Sequence, residues 1–175
     1  MKDVEIQYYF KYFGPFLWTS KINPEISKYI LEKGKEQKSN FRAHLAGQIK
    51  KEFLFDKKIA KIIWKKLTPY FESYFHAQRK HWQINCVEWK PLNLWINYQQ
   101  QNEYNPQHIH SGDYSFVVYC DVDIRRGITQ AEFIPENNLM LMFPSYLKHQ
   151  VYPFTTKCTR VSISGNIDVI TKSLQ

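Results

Sequence analysis

Residues 105–119 read NPQHIHSGDYSFVVY, and the two histidines flanking one isoleucine decide how the rest of the chain is read. The run SFVVY is short, β-branched and aromatic, which predicts a buried strand over residues 115–119. If the histidines also ride on a strand, side chains at i and i+2 leave the same face about 6.6 Å apart. His108 and His110 would then converge on one ion, with Ile109 packed behind them. An HxH pair also arises by chance. One exposed histidine beside one held by a hydrogen bond is the simpler account of the pair taken alone.

Two downstream stretches bear on the choice. LMLMFPSYLKHQV, residues 139–151, reads as a buried strand, a Pro-Ser turn and a second short strand carrying His149. The apolar run ahead of it puts His149 at the mouth of a core, as a ligand or as a capping or packing histidine. In RVSIS, residues 160–164, the alternation places Arg160, Ser162 and Ser164 on one face and Val161 and Ile163 on the other. Facing outward, that set is ordinary surface. Facing inward, a guanidinium and a hydroxyl together make a carboxylate clamp.

The composition is that of a folded chain. At 175 residues, 43% hydrophobic and 17% aromatic, it is long enough for one domain with a sizeable core. The net charge of +8 would attract a polyanion, but its cluster at Lys50, Lys51, Lys57, Lys58, Lys61, Lys65 and Lys66 reads more simply as the wet face of a helix. Cys86, Cys120 and Cys158 form no CxxC, so neither a disulfide framework nor a zinc finger is suggested. The N-terminus has no signal-peptide core, and no stretch approaches the roughly 20 apolar residues of a membrane span. A soluble, intracellular, cytoplasmic protein is expected.

The pattern changes near residue 82, dividing a single domain into a mainly helical part, 1–81, and a strand-rich part, 82–170. Asn23-Pro24-Glu25 opens a helix to about Lys35, with Ile26, Ile30 and Leu31 buried. Residues 56–80 form an amphipathic helix on Ile59, Ile62, Ile63, Leu67, Tyr70, Phe71 and Tyr74, which Pro69 should kink or restart with Thr68 as cap. Beyond it Leu92, Leu94, Ile96 and Tyr98 alternate with Asn93, Trp95, Asn97 and Gln99. Further short strands are expected at 131–134, 139–143 and 160–167. Helices followed by many strands give an α+β chain ending in a sandwich or barrel.

Taken in order, Tyr98, the HxH pair, FPSYLKH and RVSISGN resemble the 2-oxoglutarate and Fe(II)-dependent dioxygenase superfamily. More narrowly, they are similar to its small, poorly characterised members from bacteria and phages. The likeness spans roughly residues 95–166. It implies a double-stranded β-helix, a cupin-like jelly roll with the N-terminal helices packed on one sheet. It also implies Fe(II) held by His108 and His149, and a second ligand that in the superfamily is usually an HxD or HxE carboxylate. Here that place holds His110, as in three-histidine cupins, with Asp113 of the following turn as the alternative.

By the same resemblance, Arg160 and Ser162 take the distal carboxylate of the cosubstrate 2-oxoglutarate. Tyr98 hydrogen-bonds it, unless it is a core tyrosine, and Asn97 and Asn166 are weaker pocket candidates. The activity implied is O2-dependent hydroxylation of a C–H bond coupled to oxidative decarboxylation of 2-oxoglutarate. The substrate is open: a protein side chain, a nucleobase or a small metabolite, chosen by loops such as 123–129. Two other readings stand beside this one, a non-catalytic cupin-like binding module and a basic nucleic-acid-binding protein. A homodimer is neither indicated nor excluded.

Overall fold

Both long helices begin where the sequence supplies a capping oxygen. Asn23 Oδ1 accepts the Glu25 N–H at 2.9 Å and Pro24 opens α1, Pro24–Gly34. Asp56 accepts the N–H groups of Lys58 and Ile59 and opens α2, Lys57–Trp82. The computed structural model describes residues 6–11, 14–45, 47–122 and 134–172.

The break expected at Pro69 does not occur. Helix α2 runs through it, and Thr68 Oγ1 donates back to the Trp64 carbonyl at 3.0 Å instead of capping a new helix. A proline in a helix costs roughly 3 kcal/mol. Against it stand Ile63, Trp64, Leu67, Tyr70, Phe71 and Tyr74, all buried, at roughly 1.5–3 kcal/mol for each large apolar side chain. Packing wins. Ile62, expected in that stripe, is 38% exposed, at the border with the lysine face. In α1 the buried line is Ser27, Ile30 and Gly34, with Ile26 and Leu31 only half-buried.

The strands form two sheets. β5, Asn85–Gln100, pairs antiparallel with β10, Thr159–Lys172, along both lengths, and β7, Tyr114–Asp121, and β8, Leu139–Pro144, follow on the other side of β10. Four short strands of the first half were not anticipated: β1, Tyr8–Lys11, and β2, Leu17–Lys21, extend the β8 edge. At the other edge β4, Glu52–Leu54, pairs with β5, and β3, Ser39–Asn40, with β4. The order of the eight-stranded sheet is β1-β2-β8-β7-β10-β5-β4-β3, and a two-stranded sheet pairs β6, Asn105–His108, with β9, His149–Val151. Of the expected strand at 131–134 all but Ile134, and the whole loop 123–129, lie outside the described residues.

Alternation gives the large sheet two different faces. Leu94, Ile96, Phe116, Val118, Met140, Met142, Val161 and Ile163 join the core beneath α1 and α2. On the other face Arg160, Ser162, Ser164 and Asn166 lie opposite Gln99, Asn97, Trp95 and Asn93 in register. Both faces of β5 are covered, so Leu94 to Asn97 are all buried. Helix α1 sits very close: a Cβ added at Gly34 would lie 2.2 Å from Ile96 Cδ1. Gly34→Ala should therefore lower stability by about 1–3 kcal/mol, read as an earlier midpoint in urea unfolding. An unchanged midpoint would show that α1 can shift without cost.

Cys86, Cys120 and Cys158 form no disulfide with one another. Among the described residues no helix is long and apolar enough to cross a membrane.

Candidate metal centre

His108 and His149 lie directly opposite each other in the β6–β9 pair, and side chains in such a cross-strand pair are in contact. His110 reaches the same place by another route. β6 ends at His108, and His110 lies in the turn beyond it, its backbone N–H donating to the Ser145 carbonyl at 3.0 Å. The expectation of two histidines on one strand is thus corrected. Ile109, expected behind them, is 57% exposed. The three ring centroids are 4.3–4.9 Å apart, and their ligand atoms all lie within 4.8 Å of one another.

The hydrogen bonds suit a metal ion. Nδ1 of His108 is 2.7 Å from the Pro106 carbonyl and Nδ1 of His149 is 2.8 Å from the Leu147 carbonyl. A carbonyl only accepts, so each Nδ1 carries a proton, and in the neutral, ligating ring each Nε2 presents its lone pair towards the cluster. Nε2 of His110 and Nε2 of His149 are 3.1 Å apart. Nitrogens about 2.1 Å from one ion and at right angles about it lie roughly 3 Å apart. Burial, then His149 and His108, pushes the His110 imidazole down to about 3, and burial also lowers His149. Both are neutral at pH 7, the form that ligates.

Asp113, the alternative ligand, is committed elsewhere. Its Oδ2 accepts the Val169 N–H at 2.8 Å, and its backbone bridges Ile167 and Ser145. Gly112, at φ +83°, makes the tight turn between His110 and that clamp. Ser145, fully buried, was not singled out in the sequence, yet it organises this corner. Its hydroxyl is 2.8 Å from Ser115 Oγ, which donates to Asn166 Oδ1 at 2.8 Å. Asn166 therefore braces the β8 turn from which His149 follows. The serine of FPS was the available signal.

On the same face of the large sheet lies Arg160, only 7% exposed. Its Nη2 donates to Gln99 Oε1, and its guanidinium lies 5.8 Å from the Tyr119 ring and 5.7 Å from the Phe154 ring. Among the described residues no carboxylate pairs with it, and burial lowers its pKa. A cation so placed calls for an anion. Ser162 is buried beside it on β10, 3.4 Å from Asn97 Nδ2, which also donates to Ser164 Oγ at 3.2 Å.

Tyr98 is a correction. Neighbours on a strand point to opposite faces, so Tyr98 and Asn97 cannot both line the pocket. Tyr98 turns to the helix side, against Phe53 at 6.3 Å, with its hydroxyl 2.9 Å from the position of a Cβ on Gly34.

Glu52 was missed altogether. It lies opposite Asn97 in register, is 1% exposed, and neither of its carboxylate oxygens has a hydrogen-bond partner among the described residues. Burial raises its pKa to about 7, with Glu103 adding to the rise and Arg42 opposing it. The fold thus favours the neutral acid. Its stabilising contribution is full below the ordinary value of 4.5 and is lost as pH rises through about 7. Glu52→Gln should remove this contribution to the stability difference between pH 5 and pH 8, measured by urea unfolding. An identical pH profile for variant and parent would refute the assignment.

No family model matches the chain, and no curated protein does. Solved structures do. A viral collagen prolyl hydroxylase from Paramecium bursaria Chlorella virus-1, in its 2OG complex, superposes with a TM-score of 0.66 at 8% identity, covering 88% of this chain and 96% of that one. A prolyl-4-hydroxylase from Pseudomonas putida gives 0.55 at 10%, covering 91% and 93%. An oxidoreductase of the 2OG-Fe(II) oxygenase family from Burkholderia pseudomallei gives 0.50 at 12%, covering 93% and 73%. The chain has the 2-oxoglutarate oxygenase fold. The likeness, first visible in residues 95–166, extends in these structures over 88–93% of the chain.

Proposed function

We propose that the chain is an Fe(II)- and 2-oxoglutarate-dependent dioxygenase that hydroxylates a C–H bond. The observation that carries this reading is the pairing, on one side of an oxygenase fold, of three convergent imidazoles with a buried arginine that has no carboxylate partner among the described residues. His108, His110 and His149 would hold the iron, and Arg160 with Ser162 the distal carboxylate of 2-oxoglutarate. Bound there, iron supplies activation of O2 coupled to decarboxylation of 2-oxoglutarate to succinate and hydroxylation of the substrate carbon.

The chain's own contribution is positional. The Pro106 and Leu147 carbonyls hold two imidazoles in the ligating tautomer. Tyr119 and Phe154 keep water from the guanidinium, so that its bond to a carboxylate is made in a low dielectric. With three neutral ligands, the full 2+ charge remains on the ion. The prolyl hydroxylases among the similar structures favour an amino-acid side chain over a nucleobase as substrate.

Anaerobic addition of Fe(II) and then 2-oxoglutarate should produce the weak visible charge-transfer band of the chelate. Admission of O2 should then release succinate. Iron-loaded protein that shows neither would refute the reading.

A further inference from the structure

Glu52 and Arg160 lie on the same side of the sheet but do not pair with each other. β4 and β10 are separated by β5, and Glu52 is opposite Asn97 while Arg160 is opposite Gln99. Two strand spacings and two residues of offset put their backbones about 12 Å apart. Arg42, which acts on Glu52 electrostatically, is itself exposed, and the nearly buried Glu103 adds a second negative charge.

The polar groups here are one-sided. Both Glu52 oxygens and Asn97 Oδ1 are buried and unpartnered among the described residues, while Asn97 Nδ2 is given to Ser162 and Ser164. With Glu52 ionised, as a cationic partner would favour, these are three acceptors with no donor between them, and they match a group that donates only. An ammonium offers three donors and no acceptor, a guanidinium five. Two residues back along β5 stands Trp95, whose ring is 5.8 Å from that of His110. Glu52, Asn97 and Trp95 thus share the face of the sheet that His110 packs against. A glutamine of the same shape would avoid the cost of burying a carboxylate, and a local choice that opposes stability marks a functional position.

We propose that Glu52, with Asn97 Oδ1, anchors the substrate, and that the substrate carries a lysine- or arginine-type side chain whose cationic end docks on these oxygens. The assignment of this ligand as the molecule hydroxylated rests on the oxygenase reading; its binding does not.

Calorimetry on metal-free protein at pH 8 tests it, with free L-lysine, free L-arginine, Gly-Lys-Gly, Gly-Arg-Gly and Nε-acetylated Gly-Lys-Gly as probes. At least one cationic probe should bind, and Glu52→Gln should weaken it tenfold or more. If the lysine peptide binds, its acetylated form should be at least tenfold weaker. Tighter binding of the tripeptides than of the free amino acids would assign a polypeptide source, and the reverse a free amino acid. Glu52→Gln removes a buried charge and keeps the volume, so it should fold at least as well as the parent at pH 8. No binding by any cationic probe, equal binding by the acetylated peptide, or binding indifferent to Glu52→Gln would overturn the proposal. Cation binding without the charge-transfer band would sink the oxygenase reading alone. The band without cation binding would sink the substrate assignment alone.

Discussion

His149→Ala should abolish iron binding and 2-oxoglutarate turnover together, with succinate release falling at least about 100-fold, beyond the 10–100-fold typical of losing a group that merely supports a ligand. His149 is the hub of the cluster. It faces His108 across the two-stranded sheet and His110 Nε2 at 3.1 Å, and packs on Phe143 at 4.9 Å. Its removal leaves His108 at the end of β6 and His110 in the turn beyond it, with nothing opposite them. The fold should survive, because the large sheet and its helices do not depend on β9, and burial already disfavours the charged form of this imidazole. Equilibrium dialysis against Fe(II), succinate assay and circular dichroism check the three parts. Full iron binding in both His149→Ala and His108→Ala would dismiss the centre.

Arg160→Met should raise the 2-oxoglutarate concentration needed for half-maximal turnover by about 30- to 1,000-fold, the equivalent of about 2–4 kcal/mol for one partner of a desolvated charge pair. The same variant should leave the protein free of 2-oxoglutarate as stable as the parent or more so. Arg160 is a buried cation without a described carboxylate partner, lying between two aromatic rings, and methionine fills much of that volume without the desolvation cost. The pair of results is diagnostic. A purely structural arginine would show the opposite pattern, loss of stability with an unchanged requirement for 2-oxoglutarate. Thermal unfolding with and without the keto acid, beside the kinetic titration, separates them.

Much of this was legible before any coordinates. The cap at Asn23, the long amphipathic helix, the paired alternation of 92–99 and 160–164, and the three histidines all rest on local chemistry or short-range periodicity. Strands of two to five residues such as β1 to β4 carry too little pattern to be read, so the edges of the large sheet were missed. Pro69 misled because a local rule about hydrogen bonds was overruled by six side chains packing on a sheet not yet visible. Tyr98 misled differently: alternation already set it on the face opposite Asn97, yet the resemblance offered both as pocket residues.

What the sequence settled alone was which residues share a face, since the two-residue period of a strand and the 3.6-residue period of a helix are properties of the backbone. Which of two faces looks inward was beyond it, because both faces of β5 are buried and only the arrangement of the sheets distinguishes them. Nor could it bring His108 opposite His149, commit Asp113 to Val169, or leave Glu52 without a hydrogen-bond partner among the described residues. Those are matters of cross-strand register between segments distant along the chain, and register is decided by the packing of the whole molecule.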